Sequence, residues 1–192
     1  MNLVYIAFSS SIAYFLTKML YKRSNYIYIS TFVACLAGLI SYFSIYSDTL
    51  NSWVMSLHLY VTAMSITLLI IVTYEVFLLE WRVKKLKSGE FSNDIPFSIE
   101  KNYKTNFKLS GIGIIFLSFA LISGFYITDI VSTEIQLKAL YTSISWLIYC
   151  SILIGTKYFN LKTKYAVRGL IFTLMFLLIA YMGNSYIFST IA

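Results

Sequence analysis

Long apolar runs separated by short polar ones make up most of the chain. A helix needs roughly 20 residues to cross the hydrocarbon core of a bilayer. Six runs meet that length: Leu3–Leu20, Tyr26–Tyr46, Trp53–Leu79, Leu109–Ile127, Leu137–Thr156 and Val167–Phe188. The runs are continuous rather than alternating, and they lack the period-two signature of membrane strands. The third is the longest, which predicts a helix that tilts or projects into water. The pattern predicts an all-α fold: one polytopic membrane helix bundle with six transmembrane helices, spanning residues 1–192 as a single domain. The one long polar segment, Trp81 to Lys108, is expected to be a cytoplasmic linker. Asp94-Ile95-Pro96-Phe97 breaks it, and a short amphipathic piece on the membrane surface is expected after that break.

Composition agrees. The chain is 59% hydrophobic and 12% charged, and that charge content is about half the usual fraction of a soluble domain. Net charge is +7, from 15 Lys and Arg against 8 Asp and Glu. In a soluble protein such an excess suggests nucleic acid. Here it lies in short loops and reads as topology control, so no nucleic-acid partner is expected. Lys18, Lys22 and Arg23 follow the first span. Arg82, Lys84, Lys85, Lys87, Lys101, Lys104 and Lys108 follow the third, and Lys157, Lys162, Lys164 and Arg168 join the fifth to the sixth. All but Lys138 of the basic residues thus fall on one side, opposite Asp48, Asp129 and Glu134. The positive-inside rule puts both termini on the outer, periplasmic side of a bacterial inner membrane. No basic residue precedes the first run, so no cleavable signal is expected. Cys35 and Cys150 lie within apolar runs without metal-ligand spacing and read as small core residues.

His58 is the only histidine. It falls five residues after Trp53, or roughly 7–8 Å along a helix axis, near the expected outer face. An ionisable group at such depth is a candidate site in its own right. Thr62 and Ser65 follow at i+4 and i+7 and complete a polar stripe on one face. Thr142, Ser145 and Tyr149 form a second stripe. For the hydroxyls the reading is hydrogen bonding between helices. For the imidazole two readings stand side by side: a bond to a neighbouring hydroxyl, or axial ligation of haem iron. The 17 Tyr, 15 Phe and 3 Trp include Tyr46, Trp53, Tyr60, Phe125, Tyr126, Tyr181 and Tyr186 near the outer ends. They suit an interfacial aromatic belt, and equally the wall of a pocket for a flat macrocycle. Glu75 is expected to snorkel or to pair with a loop cation. Ala34-xxx-Gly38 and Ala120-xxx-Gly124 allow close helix approach. With no catalytic dyad, phosphate loop or Cys/His cluster in the sequence, an enzyme is not expected.

Four stretches resemble the cytochrome c assembly transmembrane family, the CcmC, CcsA and HemX type, and are most similar to its YpjD-like inner-membrane branch. The first is Ser52-Trp53-Val54-Met55-Ser56-Leu57-His58-Leu59 with Ser65. The second is Leu86-Lys87 followed by Pro96-Phe97-Ser98-Ile99-Glu100. The third runs from Gly111-Ile112-Gly113 to Ser123-Gly124. The fourth runs from Lys138 through Thr142 and Trp146-Leu147-Ile148-Tyr149 to Gly155, then Ala166-Val167-Arg168 and Ala180-Tyr181-Met182-Gly183. Together they cover about residues 52 to 188.

The resemblance implies a protein that binds or passes haem near the outer face during cytochrome maturation, with His58 as axial ligand to the iron. Trp53, Thr62, Ser65 and Trp146 would line the cofactor site. Haem-handling or apocytochrome-handling membrane proteins would be its partners, beside the lipid bilayer itself. The chain departs from the family in definite ways. The loop Tyr126–Gln136 has no Trp and no Gly, whereas haem-presenting members carry a Trp-rich loop with an Asp. Leu137 stands where branch relatives have histidine, and Asn184-Ser185-Tyr186 where haem-handling members have another. Close relatives usually have about eight spans. These departures favour a second reading: an accessory or scaffold subunit, beside an ion transporter for example, that keeps the fold without haem. A third reading, a small transporter or channel, rests on Glu75 alone.

Overall fold

The computed structural model describes residues 2–20, 26–46, 53–89, 99–127 and 133–183. They form six α-helices: α1 (Asn2–Leu20), α2 (Tyr26–Tyr46), α3 (Trp53–Lys87), α4 (Ile99–Ile127), α5 (Thr133–Tyr158) and α6 (Thr163–Leu178). A π-helical turn, Ile179–Gly183, extends α6. Each of the six is long and apolar enough to cross a membrane, and there is no strand among the described residues.

α3 is the axis of the bundle. In its most apolar stretch 72% of residues are buried, against 17% to 33% in the other five helices. α1 and α2 pack together on one side of it, and α4, α5 and α6 on the other. The outer helices turn Phe8, Phe32, Phe43, Phe119 and Phe172 outward. Such exposure on every side is unfavourable in water and neutral in hydrocarbon. The core runs from Tyr14 through Leu69, Ile71 and Leu117 to Tyr149, Leu170 and Leu177. Many buried hydroxyls, among them Ser10, Ser11, Thr67 and Thr173, donate to the carbonyl four residues back. That satisfies them without water.

Small residues set the close approaches. A Cβ on Gly38 of α2 would run into the Met64 methyl of α3 and come within 2.8 Å of Ser10 Oγ of α1. Gly38, from the Ala34-xxx-Gly38 pair, is thus where three helices converge.

The polar linker expected over 81–108 is mostly helix. α3 continues to Lys87, where Glu80 pairs with Lys84 at 3.0 Å and Lys85 Nζ sits 4.3 Å from the Trp81 ring. Three lysines in its last turn suit the helix C-terminus. Gly89 ends it at φ +77, a conformation that glycine takes without cost. α4 is already helical at Ile99 and runs unbroken into the apolar span. The piece expected on the membrane surface is therefore the first part of α4, and Asn102, Thr105, Asn106 and Ser110 are buried within the bundle. Lys22, Arg23, Asp48, Ser52, Asp94-Ile95-Pro96-Phe97, Asp129 and Asn184-Ser185-Tyr186 lie outside the described residues, as does the end of the expected sixth span. Cys35 and Cys150 are half-buried free thiols.

Candidate functional site

His58 projects from α3 toward α4. Its Nδ1 lies 2.8 Å from Ser123 Oγ, and the Ala120 carbonyl also accepts a hydrogen bond from the ring. Ser123 has a single hydroxyl hydrogen, and its shortest contact is the Phe119 carbonyl at 2.6 Å. With the hydrogen there, Nδ1–H must be the donor to Ser123 Oγ, and Nε2 keeps its lone pair. Ser123 Oγ and the Ala120 carbonyl are themselves 3.2 Å apart, so one ring N–H can face both. The ring lies over Gly124. A Cβ there would be 3.3 Å from His58 Cε1, closer than carbon atoms pack comfortably. The second small-xxx-small pair, Ala120-xxx-Gly124, is therefore the shelf on which the histidine rests.

Below His58 the polar stripe turns inward. Thr62 is fully buried and donates to the His58 carbonyl at 2.7 Å, and Ser65 is buried and donates to the Thr62 carbonyl at 2.8 Å. Tyr181, on the π-helical turn, reaches the hydroxyls of Thr62 and Thr142. The stripes of α3 and α5 thus meet at one tyrosine. π-Helical turns insert a residue into a helix and often occur at functional sites. Here the turn carries a tyrosine expected in the outer belt, and that side chain packs against the core instead. Ser145 donates to Tyr141 O at 2.9 Å and reaches Thr173 O of α6 at 3.3 Å.

The two tryptophans expected at this site lie elsewhere. Trp53 is 75% exposed at the start of α3, as an interfacial residue would be. Trp146 sits on α5 and donates Nε1–H to Ser118 Oγ of α4 at 2.8 Å. Among the described residues no contact joins either indole to His58. The residues that hold the ring, Ser123 and Gly124, were visible in sequence only as part of a glycine-bounded helix.

A second polar cluster occupies the opposite, lysine-bearing end. Glu75 of α3 is only 3% exposed, so its carboxylate does not snorkel. It pairs with Lys18 of α1 at 2.6 Å and accepts hydrogen bonds from Tyr14 at 2.8 Å and from Tyr26 of α2 at 3.3 Å. The Lys18 ammonium also faces the Tyr26 and Tyr74 rings, 5.2 and 4.5 Å from their centroids. Three donors and two aromatic faces compensate the buried charges. No group of three His, Cys, Asp or Glu side chains that could hold a metal ion occurs among the described residues.

Comparison with known proteins gives no match to a family model, a curated protein or a solved structure.

Proposed function

We propose that the chain is a multi-pass inner-membrane protein of the cytochrome c assembly type that holds haem at its outer face, with His58 Nε2 as the axial ligand. The observation that carries this reading is the Nδ1 contact with Ser123 and Ala120. A ring nitrogen held by an outer hydrogen bond fixes the tautomer and presents the other nitrogen to a metal, which is how histidine ligands to metals are oriented. One histidine without a surrounding cluster suits an iron whose other equatorial ligands come with its own macrocycle. Bound there, haem supplies an iron that takes one protein nitrogen and leaves its sixth position to another donor. Thr62, Ser65 and the Tyr181 hydroxyl would support the His58 turn from below. Trp53 and Trp146 are not proposed as ring contacts, since one is exposed and the other is engaged with Ser118.

Orientation follows from the positive-inside rule: the lysine-bearing ends of α1, α3 and α5 face the cytoplasm, and His58 faces out. Haem-handling or apocytochrome-handling membrane proteins would be the partners.

The test is the absorption spectrum of the purified protein, oxidised and reduced, with and without added haemin. A Soret band that shifts on reduction and is lost in His58→Ala supports the reading. A band that survives the substitution removes His58 as ligand, and a flat spectrum removes haem.

A second reading is favoured by the same hydrogen bonds. His58 and Trp146 each already have a partner on α4, as purely structural residues do. The chain would then be an accessory or scaffold membrane subunit that works through protein contacts. Crosslinking in intact membranes tests it: recovery of a stoichiometric partner supports it, and recovery of none counts against it.

A further inference from the structure

A crevice of about 430 Å³ lies between α3, α4, α5 and α6 toward the lysine-bearing end of the bundle. His58 to Val76 on its wall is 18 residues, or roughly 27 Å of helix, so the crevice is separate from the histidine site. Its walls are mostly aliphatic, with Val72, Leu79, Ile152 and Leu170 among them, and no charged side chain lines it. One polar group in it is unsatisfied. Asn106 of α4 is 4% exposed, and neither its amide nitrogen nor its carbonyl oxygen has a hydrogen-bond partner. Buried carboxamides are almost always paired, and one that is not points to a missing occupant.

The other polar groups of the crevice are engaged or back-bonded. Thr156 donates to the Ile152 carbonyl at 2.9 Å, and Tyr103 reaches the Thr156 carbonyl at 3.3 Å. An ordered water needs two to four polar partners, and the apolar walls offer little beyond Asn106. The absence of a lining cation disfavours a phosphate or carboxylate. The vacancies are one donor set, Nδ2–H, and one acceptor, Oδ1, beside an apolar space of the size that holds small ligands.

We propose that this crevice binds the head of a neutral, carbonyl-bearing membrane amphiphile, with Asn106 Nδ2–H donating to its carbonyl. Two sources share that chemistry. One is an isoprenoid quinone, whose reduced form would donate a hydroxyl to Oδ1 of the same side chain. The other is the ester carbonyl of a glycerolipid. The site is independent of the haem reading, and its ligand enters from the bilayer.

The experiment is photolabelling of the full-length protein in native-lipid nanodiscs with two probes: a short-chain quinone and a diacylglycerol, each bearing a benzophenone. Two variants are compared with the parent. Asn106→Leu removes the polar group at similar volume, and Val76→Phe fills the crevice and keeps Asn106. The expected result is label on peptides of α4 to α6 that falls about fivefold in Asn106→Leu, the loss of one hydrogen bond, and falls further in Val76→Phe. Competition by unlabelled quinone alone assigns the quinone, and competition by diacylglycerol alone assigns the lipid. Equal labelling of all three proteins, with unchanged helical circular dichroism, overturns the proposal, as does the absence of label from α4 to α6. The haemin spectrum of both variants stays that of the parent, so failure here is distinguishable from failure of the haem reading.

Discussion

Lys18 Nζ and Glu75 Oε1 lie 2.6 Å apart although 57 positions separate them in the chain. That contact ties the end of α1 to the middle of α3, and the Tyr26 hydroxyl brings α2 to the same carboxylate. One glutamate thus joins three helices where the surroundings are otherwise apolar.

Removing either partner leaves a buried charge without its counter-ion. Glu75→Gln and Lys18→Met are each expected to destabilise the bundle by about 3–5 kcal/mol. Lys18 falls at the low end, because its side chain is 17% exposed. The double variant should cost clearly less than the sum of the two, since it removes both charges together. Urea unfolding in mild detergent, followed by tryptophan fluorescence, measures all three. Strict additivity would show that the pair contributes no coupling.

The seat of His58 is tested at Gly124. Gly124→Ala adds a Cβ at 3.3 Å from Cε1, and the ring can yield by a few tenths of an ångström. Gly124→Val cannot be relieved in this way and should displace the ring from Ser123. Modification of His58 by diethyl pyrocarbonate is expected to rise only slightly in the first variant and several-fold in the second. Ser123→Ala should raise it too, by removing the hydrogen bond that holds Nδ1. Equal reactivity in all four proteins would mean that α4 does not hold the ring.

The α4–α5 contact rests in part on the Trp146 indole N–H and Ser118 Oγ, 2.8 Å apart. Trp146→Phe keeps an aromatic body and removes the donor. Interhelical hydrogen bonds in membranes average about 0.6 kcal/mol and reach about 1.7, so a loss in that range is expected. Ser118→Ala in the Trp146→Phe background should then add almost nothing. A double-mutant cycle on unfolding free energies reads this directly.

Run length made the six helices legible, because a membrane helix needs a number of apolar residues and little else. It did not reveal which helix is central. The mean hydropathy of the α3 and α4 stretches is nearly equal, 2.0 and 1.9, yet 72% of one and 28% of the other is buried. In water a surface helix would show a polar face. In hydrocarbon both faces are apolar, and the usual amphipathic signal vanishes. The start of α4 read as linker for a related reason: Lys101, Asn102, Lys104, Asn106 and Lys108 dilute its hydropathy, although Asn102 and Asn106 point inward. The stripe of His58, Thr62 and Ser65 was legible from helical spacing. Its partners on α4 were not, since nothing local in a sequence pairs His58 with Ser123, 65 positions away. Glu75 was expected to meet a cation, and Lys18 is one. The two tyrosines that complete the cluster carried no separate signal.

Gly38 tests how tightly α1, α2 and α3 converge. In Gly38→Ala the new methyl meets Met64 Cε and lies 2.8 Å from Ser10 Oγ. Overpacking of this kind costs typically about 1–3 kcal/mol. Met64 is a flexible side chain and can move, so Met64→Ala combined with Gly38→Ala should recover part of the loss, whereas Met64→Ala alone should destabilise by leaving a cavity. No recovery in the double variant would place the obstruction at Ser10 and the α1 backbone instead.

The last prediction concerns which side the lysines face. α3 ends in Lys84, Lys85 and Lys87, and α5 ends in Lys157. Tyr103 near the start of α4 reaches Thr156 near the end of α5, so the two basic ends share one side of the bundle. If the positive-inside rule governs insertion, green fluorescent protein inserted after Gly89 should fluoresce, and alkaline phosphatase at the same point should be inactive. A fusion between α4 and α5 should give the opposite pair. Replacing Lys84, Lys85 and Lys87 by Gln weakens the bias on one loop only, and the two remaining basic loops should hold the topology. Fluorescence from both fusion points would show that the chain does not cross the membrane between them, and His58 would then have no outer face to serve.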